Sequence, residues 1–405
     1  MFIRQITSLL GLLAIFSVQP LRAESTEDVI AALQEQVAAL TQRLEKLEQR
    51  SRVPQRDYAI PQIKSVSTVT PNWADRIKLQ GDFRFRHEVI DSDNSSQRHR
   101  QRIRARPELK AIVSDNVSVG FGLATGSADP ISSNQTLGDG LSSKSIRLDL
   151  AYVDWATQLN GLNVTAGKFR NPIRRVGGNG LLWDNDLRPE GASLSYTRGP
   201  FSAAAIGLWV DESAQDDDSF VLGGQLAWAQ PLNSSVNLLA GAGYFNFADV
   251  KGEPVFFDGD PRGNSVDAAG NYLNGYEELE LFAELTFYLA DVPVTLSADY
   301  VQNLAADDFD TGYALGGKIS LNTGNGSLQL SYIYQDLEAD AVLGKLTDSD
   351  FIGGGTDGKG HILRAGYSLT EQIRLNGTLF LNERGGDLGG EEDYQRLQLD
   401  ISFEY

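Results

Sequence analysis

Arg98-His99-Arg100-Gln101-Arg102-Ile103-Arg104-Ala105-Arg106-Pro107-Glu108-Leu109-Lys110 is the stretch whose reading decides the fold. Read with a period of two, Arg98, Arg100, Arg102, Arg104, Arg106, Glu108 and Lys110 share one face, and Ile103, Ala105, Leu109 and Ala111 share the other. Five arginines on one face cannot line a dry core, because each buried ion costs several kcal/mol. They line water, and the apolar face then meets lipid. That inversion distinguishes a membrane barrel from a soluble one, and from a soluble sheet with one solvated basic face.

The same alternation runs from Arg76 to the C-terminus. It is clearest at the end, where Leu397, Leu399, Ile401, Phe403 and Tyr405 point one way and Gln398, Asp400, Ser402 and Glu404 the other. About 16 such stretches occur, between 76–90 and 394–405. Connections after even strands are short, such as Ser114-Asp115-Asn116, Arg198-Gly199-Pro200 and Thr323-Gly324-Asn325. Those after odd strands are often long: 128–144, 171–190, 249–276 and 338–360. Short turns on one side and long loops on the other are expected of a bacterial outer-membrane barrel with both termini in the periplasm. Trp155, Tyr196, Trp209, Tyr288, Tyr300 and Tyr405 stand near strand ends, as interfacial girdles require. The expected fold is therefore all-β, a transmembrane antiparallel barrel of about 16 strands after a short N-terminal coiled-coil helix.

Four segments divide the chain. Residues 1–23 hold Arg4, the apolar run Leu9 to Phe16 and a small Ala23, which reads as a secretory signal peptide. Its removal takes Arg4 and Arg22 with it and shifts the net charge from −19 to about −21. Within 24–50, Ile30, Leu33, Val37, Leu40, Leu44 and Leu47 are spaced 3-4-3-4-3, the a/d seam of a periplasmic coiled coil. Pro54, Pro61 and Pro71 mark a linker over 51–74. The barrel is expected over 75–405.

Composition removes several function classes. With Cys 0, there is no disulfide scaffold, thiol nucleophile or thiolate metal site. His87, His99 and His361 match no metal-ligand spacing. The acidic balance argues against nucleic acid. Gly353 to Gly360 holds a G-x-x-x-x-G-K pattern ending in Gly360 where a Ser or Thr is needed, so it is no phosphate loop. No G-x-S-x-G occurs. No cofactor, metal site or enzymatic activity is expected.

A signal peptide, a short coil, about 16 alternating strands and a terminal aromatic together resemble the Gram-negative outer-membrane family of putative porins. Gly167-Lys168-Phe169-Arg170-Asn171-Pro172, then Gly180-Leu181-Leu182-Trp183-Asp184-Asn185-Asp186 and Arg188-Pro189-Glu190-Gly191, resemble that family's loop after the fifth strand. The resemblance implies that this third outer loop folds into the lumen and narrows it. It would carry Arg170, Arg174, Arg175, Asp184, Asp186 and Arg188 to face Arg84, Arg86, Arg100, Arg102, Arg104 and Arg106 on the first two strands. Adjacent arginines repel, so Asp82, Glu88, Glu108 and Asp149 should lie among them. Rings and walls of charge set ion selectivity. The expected function is passive diffusion of small hydrophilic solutes and ions with a local anion preference.

The resemblance also implies a homotrimer, contact with outer-membrane lipid and lipopolysaccharide, and a signal at Phe403 and Tyr405 for the barrel-assembly machinery. Alternative readings are a phosphate- or organic-anion-selective channel, and a barrel anchor whose coil contacts peptidoglycan. An outer-membrane enzyme would need a Ser/His or Asp/His set at one rim, which the sequence does not offer.

Overall fold

The computed structural model describes Gln42 and residues 73–212, 218–324 and 326–405. The signal peptide, the coiled-coil seam Ile30 to Leu47 and most of the linker lie outside the described residues. After a 3-10 turn at Trp73–Arg76, sixteen strands follow one another: β1 Ile77–Ser92, β2 Ser95–Ser114, β3 Val117–Thr125, β5 Ile146–Ala156, β6 Leu162–Lys168, β7 Glu190–Arg198, β8 Phe201–Asp211, β9 Ser219–Asn233, β10 Val236–Ala248, β11 Tyr276–Leu289, β12 Val292–Asn303, β13 Thr311–Asn322, β14 Ser327–Leu337, β15 Gly358–Ser368, β16 Ile373–Arg384 and β17 Glu392–Glu404. A two-residue strand, β4 Gln135–Thr136, pairs with β2 beyond the end of β3. Each long strand pairs antiparallel with the next, and β1 pairs with β17 from Asp82 opposite Glu404 to Ser92 opposite Tyr394. The result is a closed 16-stranded barrel with no free sheet edge.

Burial is inverted relative to a water-soluble protein. Leu79, Leu226 and Trp209 are 69%, 68% and 63% exposed on the outer face. Arg86, Glu88 and Arg396 point inward and are 4%, 0% and 3% exposed. Only a hydrocarbon solvent outside makes that distribution stable.

Three long connections define the interior: L3 (169–189), L5 (249–275) and L7 (338–357). The sequence reading placed polar groups along the whole inner face. The structure corrects this for the loop-side halves of several strands. Ile206, Leu208, Val221, Phe245, Phe247 and Tyr276 there are buried in one apolar cluster with Trp183 of L3, Phe256 of L5 and Phe351 of L7. The Trp183 ring lies 5.2 Å edge-on from Phe245 and 6.1 Å from Phe247. The strands carry apolar residues inward because loops, not water, cover them.

The seam between first and last strands depends on one glycine. The Gly81 amide donates to Tyr405 O at 2.9 Å, and the Tyr405 amide donates to Gly81 O at 3.0 Å. A Cβ on Gly81 would stand 2.5 Å from Arg106 O and 2.9 Å from the Tyr405 hydroxyl. Gly81→Val is expected to weaken closure by about 1–3 kcal/mol, as overpacking does. Urea unfolding of the barrel in lipid vesicles would show it as a lower midpoint. An unchanged midpoint would mean that the β2 backbone at Arg106 and the Tyr405 ring both move aside at no cost.

Candidate functional site: an arginine-lined constriction

The pairing register builds the basic wall. Across β1 and β2, Arg84 stands opposite Arg104, Arg86 opposite Arg102 and Glu88 opposite Arg100. Like charges directly opposite repel, so carboxylates are interleaved. Arg86 forms a fork on Asp400 of β17, donating from Nε at 2.7 Å and from Nη2 at 2.8 Å. Glu88 accepts from Arg396 at 2.6 Å and lies 2.5 Å from Arg100. Asp82 bridges Arg104 at 3.0 Å and Arg106 at 2.7 Å. At the loop roots, Glu108 holds Arg170 at 2.6 Å and Asp149 holds Arg188 at 3.3 Å.

L3 is suspended between this wall and an acidic one. On the acidic side its backbone donates to wall side chains. The Arg174 amide donates to Gln225 Oε1 at 3.0 Å, and Gln225 returns a bond from Nε2 to Arg174 O at 3.0 Å. The Gly177 amide donates to Glu284 of β11 at 2.8 Å, and Asn179 Nδ2 donates to Asp299 of β12 at 3.0 Å. On the basic side the polarity reverses. Asp186 of L3 accepts from Arg104 at 3.1 Å and from Arg106 at 2.8 Å.

L7 does the same, although its local sequence pattern gives no sign that it folds inward. Its Leu343 amide donates to Glu278 of β11 at 2.9 Å. Its Asp350 accepts from Arg86 at 3.1 Å and Arg396 at 2.8 Å. L5 steadies it through Asn264, whose amide nitrogen donates to Ala339 O and Val342 O at 2.8 and 2.9 Å. The two inner loops are also tied together. The Asp184 amide donates to Leu346 O at 2.7 Å, the Asp348 amide to Gly180 O at 3.1 Å, and the Ser349 amide to Asp184 Oδ2 at 2.8 Å.

Each loop carries an Asp-x-Asp turn, Asp184-Asn185-Asp186 and Asp348-Ser349-Asp350. The first carboxylate of each accepts the amide two residues on, at 2.5 and 2.7 Å. The second carboxylate faces arginines. Their titration diverges accordingly. Burial pushes Asp184 well above the ordinary carboxylate range, reinforced by Asp348 and Asp186. Burial, with Asp350 beside it, also raises Asp348. Asp186 is equally buried, but Arg104, Arg106 and Arg84 overcome that and hold it low. Arg396 and Arg86 do the same for Asp350.

What remains is a cavity of about 390 Å³ between the loops and the wall of β15, β16, β17, β1 and β2. Of the residues singled out in the sequence, Arg84, Arg86, Arg104, Arg175, Asp184 and Asp186 line it. Arg100 and Arg102 are drawn to Glu88, Arg170 and Arg188 to the loop roots, and Arg174 is exposed away from it. The sequence reading missed Asp348, Asp350 and Arg364, which also line it. Arg84, Arg104 and Asn185 are shared with a second cavity, of about 760 Å³, that reaches the short-turn end at Gln80 and Glu404. Among the described residues no group of three His, Cys, Asp or Glu is placed to hold a metal ion.

The model of the family described as "Putative porin" matches residues 90–267 and 258–384, and the chain belongs to that family. No curated protein matches the sequence. Among solved structures, OprB of Pseudomonas putida in its high-pH form aligns with TM-score 0.56 at 12% identity, over 82% of this chain and 95% of that one. A porin mutant of Rh. blastica gives TM-score 0.48 at 13% identity, over 81% and 100%. A loop-deleted OmpT of Vibrio cholerae gives 0.48 at 11%, over 82% and 100%. The chain is a transmembrane β-barrel of the Gram-negative outer membrane, and its outer face contacts lipid.

Two outcomes follow for the loop anchor. Trp183→Ala, which empties the centre of the apolar cluster, should cost about 3–5 kcal/mol in urea unfolding and raise single-channel conductance as L3 loosens. Asp186→Ala should do likewise through its stranded arginines, by about 3 kcal/mol. Wild-type conductance in both variants would mean that L3 does not bound the path.

Proposed function

We propose that this outer-membrane porin admits small hydrophilic solutes and ions by passive diffusion, and that the constriction between L3, L7 and the β15–β2 wall prefers anions. The observation that carries the reading is the balance of charged side chains that line the cavity. Five arginines, Arg84, Arg86, Arg104, Arg175 and Arg364, line the cavity against four aspartates, Asp184, Asp186, Asp348 and Asp350. That is a surplus of one positive charge with all four ionised, and of three with Asp184 and Asp348 protonated. The acids of the outer loops, which dominate the net charge of −19, act at a distance and are screened beyond about 10 Å at 0.1 M salt. The guanidinium charge persists at every working pH.

On this reading the protein assembles as a homotrimer, with the strand-end aromatics Phe403 and Tyr405 read by the barrel-assembly machinery. The N-terminal coil contributes oligomerisation or contact with peptidoglycan. Support for the terminal signal is that Tyr405 is bonded into the closure seam, where assembly must finish.

The test is the reversal potential in a planar bilayer under a KCl gradient. Its sign should report anion preference, and Arg84→Gln or Arg364→Gln should reduce it. Cation preference that persists after the loop acids are neutralised would overturn the reading. The raised aspartates add a pH signature. As pH rises through their elevated values, Asp184 and Asp348 gain negative charge, so the anion preference should fall with rising pH. Asp184→Asn with Asp348→Asn should flatten that dependence. The stability sign is opposite for the other two. Asp186 and Asp350 stabilise the docked loops fully above the ordinary carboxylate range, and that support is lost as pH falls through their depressed values.

A further inference from the structure

The geometry points to a saturable binding site in the constriction for a small organic anion bearing two or three carboxylates, held by Arg84, Arg175 and Arg364. This rests on the anion-preferring reading above and deepens it, from a field that biases ions to a site that recognises a substrate class.

Some of the guanidiniums at the cavity are already spoken for. Arg86 and Arg104 are committed to Asp400, Asp350, Asp82 and Asp186. Arg175 and Arg364 have no carboxylate within 4.0 Å among the described residues. Arg175 donates to Asn185 Oδ1 at 2.6 Å and to Trp183 O at 3.4 Å, and Arg364 donates to Gly178 O at 3.2 Å. Arg84 donates from Nη2 to Asn134 Oδ1 at 2.5 Å, and its nearest carboxylate, Asp400 at 3.9 Å, already receives the Arg86 fork. Each guanidinium has five N–H donors in a planar fork that matches a carboxylate. Most of those donors here have no protein acceptor.

The three arrive at one cavity from different elements: Arg84 from β1, Arg175 from L3 and Arg364 from β15. A compact monovalent anion engages one fork at a time. An anion with its charges spread along a carbon skeleton engages two or three together. The cavity volume, about 390 Å³, falls at the small end of ligand sites, about 300–1,000 Å³. Its lining supplies more than charge. Asn185, Ser349 and Thr378 offer neutral hydrogen-bonding groups beside the forks. A single phosphate group cannot spread its charge along a skeleton to reach forks on separate elements.

The experiment uses the full-length channel in a planar bilayer at constant ionic strength. Conductance and reversal potential are read in KCl alone, then with citrate, succinate, acetate or inorganic phosphate added. Absence of channels, or cation preference in KCl alone, would overturn the diffusion reading before any ligand is added. Given an anion-preferring channel, citrate and succinate should block the chloride current saturably. Their half-blocking concentrations should lie at least about tenfold below that of acetate. Arg175→Gln and Arg364→Gln should each weaken the block about fivefold or more while the channel still conducts. Arg364→Lys keeps the charge and loses the fork, so it should weaken the citrate and succinate block by a larger factor than it shifts the KCl reversal potential. Equal block by acetate and citrate, or full block in Arg364→Lys, would reduce the site to a general field. Stronger block by phosphate than by citrate would overturn the carboxylate assignment.

Discussion

A charge held inside this barrel must find a partner, and the path of the inner loops follows from that. The lumen has two charged walls. Glu278, Glu284 and Asp299 on one side capture loop N–H groups, and Arg86, Arg104, Arg106 and Arg396 on the other capture loop carboxylates. L3 and L7 are polypeptide bridges between them, donating at one end and accepting at the other. Removing either wall would leave the opposite one with unpaired buried groups, which are more costly than the pair is favourable. The apolar cluster around Trp183 fills the space behind the loops and makes their descent one packed unit with the strands.

On the proposed reading, selectivity is a residue of incomplete pairing. The structural work of holding the loops consumes Arg86, Arg104, Arg106 and Arg396. Arg84, Arg175 and Arg364 are left facing the passage with few acceptors. The two Asp-x-Asp turns divide labour in the same way. Asp186 and Asp350 face arginines and stay charged. Asp184 caps the Asp186 amide of its own loop and the Ser349 amide of L7, and Asp348 caps the Asp350 amide, both in surroundings that raise them. Burial raises the first carboxyl of each turn, while arginines lower the second.

Much of the barrel was legible in the sequence because the period of two and the alternating loop lengths are imposed by the bilayer. The inward facing of Arg84 to Arg106 followed from the cost of burying like charges. Pairing of Asp82, Glu88, Glu108 and Asp149 with nearby arginines followed from repulsion. The destination of L7 was not legible, because nothing local distinguishes a loop that folds inward from one that stays out. A signal existed in the repeat of Asp184-x-Asp186 as Asp348-x-Asp350, whose meaning depends on a contact 165 positions away in sequence, from Asp184 to Ser349. The inward apolar residues Phe245 and Phe247 broke the polar-inside rule for the same reason: their partner, Trp183, is distant in the chain. Arg364 looked like any polar position in an alternating strand.

The chain has no native cysteine, so a single introduced thiol reports the field at the constriction directly. Ser349→Cys places one on the cavity wall between Asp348 and Asp350. Its modification in bilayer-inserted channels by an anionic and a cationic methanethiosulfonate, each normalised to its rate with a free thiol, measures which charge gathers there. The account predicts faster reaction with the anionic reagent, by about threefold or more, with the advantage shrinking in high salt. Faster reaction with the cationic reagent at neutral pH would contradict it, because the four aspartates, and not the arginines, would then govern the passage.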